Sequence, residues 1–364
     1  VSTRQYTIPV ELTRWQVEGR QTVVFNWEYD EGRDRMLGLY EKGKAKQWNA
    51  SERLDWSHRP DPDNPLGAHD ENISIYGSPL WEKLGPERRT EVRRHLAAWS
   101  YSQFMHGEQG ALICAAKIVQ TVPDIDSKFY AATQVMDEAR HVETYSRYLQ
   151  EKLGLAYPIN PPLRSLLDDV ITDSRWDVTY LGMQVLIEGL ALAAFSMQRD
   201  HTEDPLARAI NAYVMQDEAR HVAFGRIALR EYYPQLTEAE RAEREEFAIE
   251  ACYHMRDRFL AEELWENLGF RREEFIESVT NSRRTRDFRS ALFSRIVPTL
   301  KDIGLFGRRV QEAFVDMGVM HLANVDAEAM SDRDERVAEE MERLDRERRA
   351  REVMRAVEVG AAES

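Results

Sequence analysis

The chain has 364 residues, 43% of them hydrophobic, enough to bury a large core as one domain with appendages. Its 64 acidic and 49 basic side chains give a formal net charge of −15, which argues against nucleic acid and anionic membranes as partners. The two cysteines, Cys114 and Cys252, show no pairing pattern, the start VSTRQYTIPVEL lacks a signal peptide's apolar segment, and no apolar run is expected to reach the roughly 18 residues of a spanning helix. A soluble, cytoplasmic protein with no membrane contact is the expectation.

Residues 1–85 read as an irregular arm, with Trp15, Trp27, Trp48, Trp56 and Trp81 and the Pro/Asp-rich stretch 59–65. Exposed indoles on a free arm would be costly, so the arm is expected to wrap the rest of the chain. Residues 86–325 read as a helical domain. Its helices are expected at about 86–121, at 127–152 with Asp126 or Ser127 as cap and Gly154 as stop, at 163–172, at 175–199 and at 206–232. A longer amphipathic helix over about 238–266 contains His254, read as an ordinary surface or core histidine, and shorter helices fill 271–325. Residues 326–364 alternate charge at helical spacing and read as a solvated helix or tail. The fold class is all-α, with strands incidental.

Within that domain the pentapeptide Asp-Glu-Ala-Arg-His occurs twice, at 137–141 and 217–221. Each copy has a glutamate 30 residues before its own: Glu108 before Glu138, and Glu188 before Glu218. Glutamate and histidine at i and i+3 share one side of a helix. The midpoints of the two intervals fall at Pro123 and inside Asp200-His201-Thr202-Glu203-Asp204-Pro205, both rich in helix breakers. Each interval therefore reads as an antiparallel hairpin whose two glutamates reach the same height. Two such hairpins bring four carboxylates and two imidazoles to one level, which would be prohibitive to bury without cations. Oxygen-rich ligands with one imidazole per metal suit iron or manganese better than a closed zinc site. The metal ligands are thus expected at Glu108, Glu138, His141, Glu188, Glu218 and His221. The preceding carboxylates are expected to orient the imidazoles across the helices, Asp217 on His141 and Asp137 on His221, with Arg140 and Arg220 ion-paired nearby.

These residues resemble the ferritin-like di-iron carboxylate superfamily over roughly 90–232, which implies a four-helix bundle with added helices and dioxygen as oxidant. HGEQGALICAAKIV with VMDEARHVETY is similar to the first hairpin of multicomponent monooxygenase hydroxylases. LIEGLALAAF with VMQDEARHVAFG resembles ribonucleotide reductase radical subunits, the related ligand-binding oxidases and the p-aminobenzoate N-oxygenases. Several positions depart from those patterns. Leu192, beside Ala191, stands where soluble hydrocarbon monooxygenases place a threonine, and Val214 where the N-oxygenases place an extra histidine ligand. Tyr145 matches the radical tyrosine of reductase subunits, but no tyrosine follows Tyr253 for radical export.

The resemblance implies an O2-activating di-iron monooxygenase or oxidase carrying two iron ions, or a manganese–iron pair. It would act on a small, largely apolar molecule by hydroxylation or N-oxygenation, as a homodimer fed by an external electron donor such as a ferredoxin or reductase. Phe104, Leu112, Leu192 and Phe195 are expected to line the substrate pocket, with Gln134 and Gln184 orienting a polar group; plain bundle core is the competing reading for each. The alternative function is a radical-generating or ligand-binding oxidase with Tyr145 as redox centre, against a packing role for that residue. Iron storage is disfavoured by the arm and the extra helices.

Overall fold

The computed structural model describes residues 5–7, 15–19, 21–27, 29, 32–281 and 283–362. Four long helices carry the structure. The first, Pro86–Thr121, opens on a proline at the position where no amide donor is needed and ends at Val122, whose extended backbone precedes Pro123. The second, Ile125–Tyr148, is capped by Asp124, whose carboxylate accepts from the Ser127 amide, so Asp126 and Ser127 sit in its first turn rather than at its cap. Its winding widens to π-helical over Leu149–Leu153 and stops at Gly154, where φ is +70°. The connection to the second hairpin passes Leu155–Ala156, which pairs in parallel with Gln5–Tyr6, and the short helix Pro161–Thr172, capped by Asn160.

The third bundle helix, Trp176–His201, is long and apolar enough by composition to cross a membrane, contrary to the sequence expectation. Within the bundle it is a core helix: its most apolar window is 94% buried and contains Glu188. Its winding is π-helical over Leu181–Ile187, the turn that leads into that glutamate. The fourth, Pro205–Tyr232, is capped by the Asp204 carboxylate on the Ala207 amide. Gly225 on this helix lets the third one approach, since a β-carbon there would collide with the β-carbon of Gln184.

Beyond the bundle, the expected single helix over 238–266 is broken. Glu238–Asp257 starts on a Thr237–Glu240 capping box, tightens to a 3₁₀ turn at Arg258–Leu260, and reverses at Ala261 before Glu262–Asn267 begins. Ala261 has a φ of 51°, a left-handed conformation that costs a residue with a β-carbon roughly 1–2 kcal/mol. Helix Ala327–Ala362 docks on the fourth bundle helix through Arg226 and Arg230 on Glu328, and on the preceding short helices through Arg295 on Asp334.

The arm is less irregular than its composition suggests, because Asp34–Ala45 is a helix. Met36 enters the main core and Gly43 meets Thr133 of the second bundle helix. Trp81 is buried, Trp48 and Trp56 pack partly buried on a second core to which all four bundle helices contribute, and Trp15 bonds Asp168. Trp27 departs from the expectation that the indoles are covered: it is 87% exposed, on a segment held by the Val24 amide on the Gln120 carbonyl.

Candidate metal centre

Each bundle helix delivers its glutamate to the same level. Glu108 comes from the first, Glu138 and His141 from the second, Glu188 from the third, and Glu218 and His221 from the fourth. All six are buried. They converge in two overlapping sets, Glu108–Glu138–His141–Glu218 and Glu138–Glu188–His221, in each of which the donor atoms lie within 4.8 Å of one another. The structure therefore brings together all six side chains singled out by spacing, and makes Glu138 common to both sets.

Both imidazoles turn Nδ1 toward the carboxylates. His141 Nδ1 lies 3.3 Å from Glu108 Oε2, 3.4 Å from Glu138 Oε2 and 3.3 Å from Glu218 Oε1. His221 Nδ1 lies 3.0 Å from Glu138 Oε1 and 3.4 Å from Glu218 Oε1. Several of these atoms are close without being aligned as donor and acceptor. His221 Nδ1, Glu138 Oε2, Glu188 Oε2 and both oxygens of Glu218 have no hydrogen-bond partner. An unpaired buried polar group costs about 1–3 kcal/mol, and five in one cluster would be a severe defect in a site meant to stay empty. Lone pairs aimed at a common centre are what two divalent cations require, so the residues present fit such a pair.

The electrostatics agree. Burial, reinforced by Glu218, pushes the Glu108 carboxyl well above the usual range, and burial beside the other carboxylates does the same to Glu188. Burial opposes ionisation of Glu138 too, but His221 and His141 hold it well below the ordinary value. Both imidazoles are held protonated against burial, His141 by Asp217 and Glu108, His221 chiefly by Glu138. Without metal the cluster gathers protons; cations in the same positions supply the positive charge instead.

The outward nitrogens are tied across the helix pair. His141 Nε2 is 3.0 Å from Asp217 Oδ2, and His221 Nε2 is 3.3 Å from Asp137 Oδ2. Arg140 donates to Asp137 at 2.6 Å and to Asp217 at 2.8 Å, and Arg220 to Asp217 at 2.5 Å. Motif spacing gave no sign of the arm's share in this layer. Trp48 Nε1 donates to Asp217 Oδ2 at 2.8 Å, Gln47 Nε2 donates to Asp137 Oδ1 at 2.8 Å, and the Arg140 guanidinium lies over the Trp48 ring. Both arm residues lie far away in sequence, with no spacing relation to the motif.

Gln134 Nε2 donates to Glu188 Oε1 at 2.7 Å and Glu138 Oε1 at 3.1 Å, and Gln184 backs it from the π-helical turn. Gln134 thus holds two carboxylates and Gln184 holds Gln134, and neither lines the void beside the cluster. A narrow void of about 30 Å³, room for one water, touches Glu108, Glu188 and Glu218 and is walled by Phe104, Phe195 and Phe259. Leu112 and Leu192 do not line it, which corrects the expectation. At i+4 from a glutamate they are rotated about 40° one way, whereas the i+3 positions, Ala111 and Ala191, are rotated about 60° the other way and face the void. Leu192 packs instead in the second core with Phe195 and Tyr145. Tyr145 is fully buried; its hydroxyl donates to Asn211 Oδ1 at 3.2 Å and to none of the six cluster residues. Its ring lies beside those of Phe195, Phe104 and Tyr101. Val214 is buried in the same apolar cluster, so no third histidine stands there.

A model of the p-aminobenzoate N-oxygenase AurF family matches residues 30–304, well over half the chain. The chain belongs to this family. It is a non-haem di-iron oxidoreductase of the ferritin-like superfamily, using two metal ions and O2 on a small molecule. Among solved structures, a tyrosine-to-phenylalanine variant of an R2-like ligand-binding oxidase, with an anaerobically reconstituted Mn/Fe cofactor, aligns at a TM-score of 0.53 and 17% identity. The alignment covers 78% of this chain and 100% of that one. A glycine-to-phenylalanine variant of an R2-like ligand-binding oxidase aligns at 0.48 and 19% identity, over 77% and 97%. The first of these likenesses concerns the fold alone. No curated protein matches the chain by sequence.

Proposed function

We propose that this family member is an O2-dependent N-oxygenase of aromatic amines. The observation that carries the reading is the set of convergent, unpartnered donor atoms beside an apolar void, in a chain matched by the p-aminobenzoate N-oxygenase family. Glu108, Glu138, His141 and Glu218 would hold one ion and Glu138, Glu188 and His221 the other. The chemistry such a pair supplies when bound is reduction of dioxygen. Overall, an amine, O2, two electrons and two protons give a hydroxylamine and water, so an external donor, a ferredoxin or reductase, must provide the electrons.

The chain's own residues set the conditions for that reaction. Asp217 and Asp137 fix the imidazole rings, and Gln134 fixes Glu138 and Glu188. Phe104, Phe195 and Phe259 keep bulk water from the reacting side, while Ala111 and Ala191 leave room beside it. No hydroxyl stands at 191 or 192, so proton delivery through a threonine there is not part of this reading.

The test is to load the chain anaerobically with ferrous iron, admit isotopically labelled dioxygen, and analyse a panel of aromatic amines including p-aminobenzoate. Labelled oxygen on nitrogen is the expected product. Label found only on ring carbon, or none on any amine despite O2 uptake, would overturn the N-oxygenase reading and leave the family assignment in place.

A further inference from the structure

Outside the narrow void lies a much larger cavity, about 730 Å³, in the usual size range of small-molecule sites. Its walls are mainly apolar, with Trp99, Phe104, Phe259, Trp265 and Phe288 among them. Five residues line both spaces: Gln103, Phe104, Ala194, Arg258 and Phe259. They form the partition between the outer cavity and the carboxylate cluster.

Arg258 is the anomaly in that partition. It is only 6% exposed, its Nε has no partner, and among the described residues its guanidinium makes no hydrogen bond or ion pair. The other four buried arginines are all paired: Arg140 with Asp137 and Asp217, Arg220 with Asp217, Arg226 with Asp302 and Glu328, and Arg244 with Asp177. Arg93, which also lines the outer cavity, is bonded to Asp70 through two nitrogens. Glu263 is the nearest acidic influence on Arg258, but it accepts the Trp99 indole instead of reaching the guanidinium. Burial accordingly draws the guanidinium down to about 10, so it remains a cation at neutral pH. Its position is built rather than incidental. The reversal at Ala261 ends the turn that carries it, and Asn160 Nδ2 donates to the Arg258 carbonyl while the Asn160 amide donates to Gln103 Oε1.

We propose that Arg258 binds the carboxylate of an amphipathic organic acid larger than a single aromatic ring, with its apolar body in the outer cavity. A guanidinium matches a carboxylate with two parallel hydrogen bonds, and a dry site strengthens them. The void on the metal side holds no more than a water, so the bulk of the molecule lies outward, where the aromatic walls are. The binding does not rest on the oxygenase reading above.

The experiment uses the full chain, metal-free and loaded anaerobically with ferrous iron. The probes are 4′-aminobiphenyl-4-carboxylate and its neutral carboxamide, followed by calorimetry and tryptophan fluorescence. The acid should bind well and the amide far more weakly. Arg258→Gln should weaken the acid by about thirty-fold or more while leaving the amide unchanged, and Arg258→Lys should recover part of the loss. Because the wild-type guanidinium has no hydrogen bond or ion pair among the described residues and rests only over the Phe259 ring, Arg258→Gln should melt little lower than wild type. Equal binding of acid and amide, undiminished acid binding by Arg258→Gln, or a large fall in that variant's melting temperature would each overturn the proposal. If the chain binds the acid but fails to hold two metal ions per chain, the oxygenase reading falls and the Arg258 site stands.

Discussion

Glu138 lies between the two imidazoles, with Oε1 3.0 Å from His221 Nδ1 and Oε2 3.4 Å from His141 Nδ1. It is the one carboxylate common to both donor sets. The six cluster residues are therefore unequal. Glu138→Ala should abolish binding of both ions, whereas Glu188→Ala or His221→Ala should leave about one ion per chain, held by Glu108, Glu138, His141 and Glu218. Elemental analysis after anaerobic loading reads the ratio. Helix content by circular dichroism should hold in all three, since the changes remove charge from the core without opening a large hole. Equal loss of metal in the three variants would refute the unequal roles.

How much of this was legible in the chain depends on the range of the contacts. Hairpin geometry follows from local spacing: 30 residues up and back around Pro123, and the same around Asp204-Pro205, bring Glu108 to Glu138 and Glu188 to Glu218. The residues that spacing could not place come from elsewhere. Trp48 reaches Asp217 from 169 residues away. The break that positions Arg258 has neither glycine nor proline at its left-handed residue, Ala261, so nothing in the sequence marks it. Leu112 and Leu192 were misplaced for a finer reason: both i+3 and i+4 flank the same helix face, and only the bundle's packing decides which one meets the void.

Asp217 receives Trp48, Arg140 and Arg220 while facing His141 Nε2. Its carboxyl is held well below the usual range by Arg220 and His141 despite burial. Asp217→Asn should lower metal affinity by about 10–100-fold. Trp48→Phe removes one donor of several, so it should cost about 1 kcal/mol of stability and change metal affinity far less. Metal titrations and denaturant melts on the two variants separate these effects. Comparable affinity losses would mean that the arm, not the carboxylate, governs the imidazole.

The docking of helix Ala327–Ala362 should depend on pH through Glu328. Hydrogen bonds from Arg226 and Arg35 hold its carboxyl down to about 2, below its unfolded value of roughly 4.3. A depressed carboxyl stabilises the fold above the unfolded value, and the contribution is lost as pH falls from about 4.3 toward 2. Glu328→Gln should therefore melt below wild type at pH 7, with the gap narrowing only under acid. Because the side chain is 44% exposed, added salt should shrink the gap as well. A gap that persisted unchanged at pH 3 would assign the effect to packing.

Ala111 and Ala191 make a prediction about access rather than binding. Each sits one turn beyond a cluster glutamate and faces a void that holds about one water. A leucine at either place would occupy that space from the helix side, without replacing any of the six donor residues. Overpacking of this kind costs about 1–3 kcal/mol, which a bundle with two large cores should tolerate. Ala111→Leu should therefore keep two ions per chain and lose most of its O2 consumption. The control is Leu112→Ala, one residue along and off the void, which should leave O2 consumption near wild type. If Ala111→Leu reacts normally with O2 while Leu112→Ala does not, the void is not the reacting side of the cluster, and the i+4 face of the first helix takes its place.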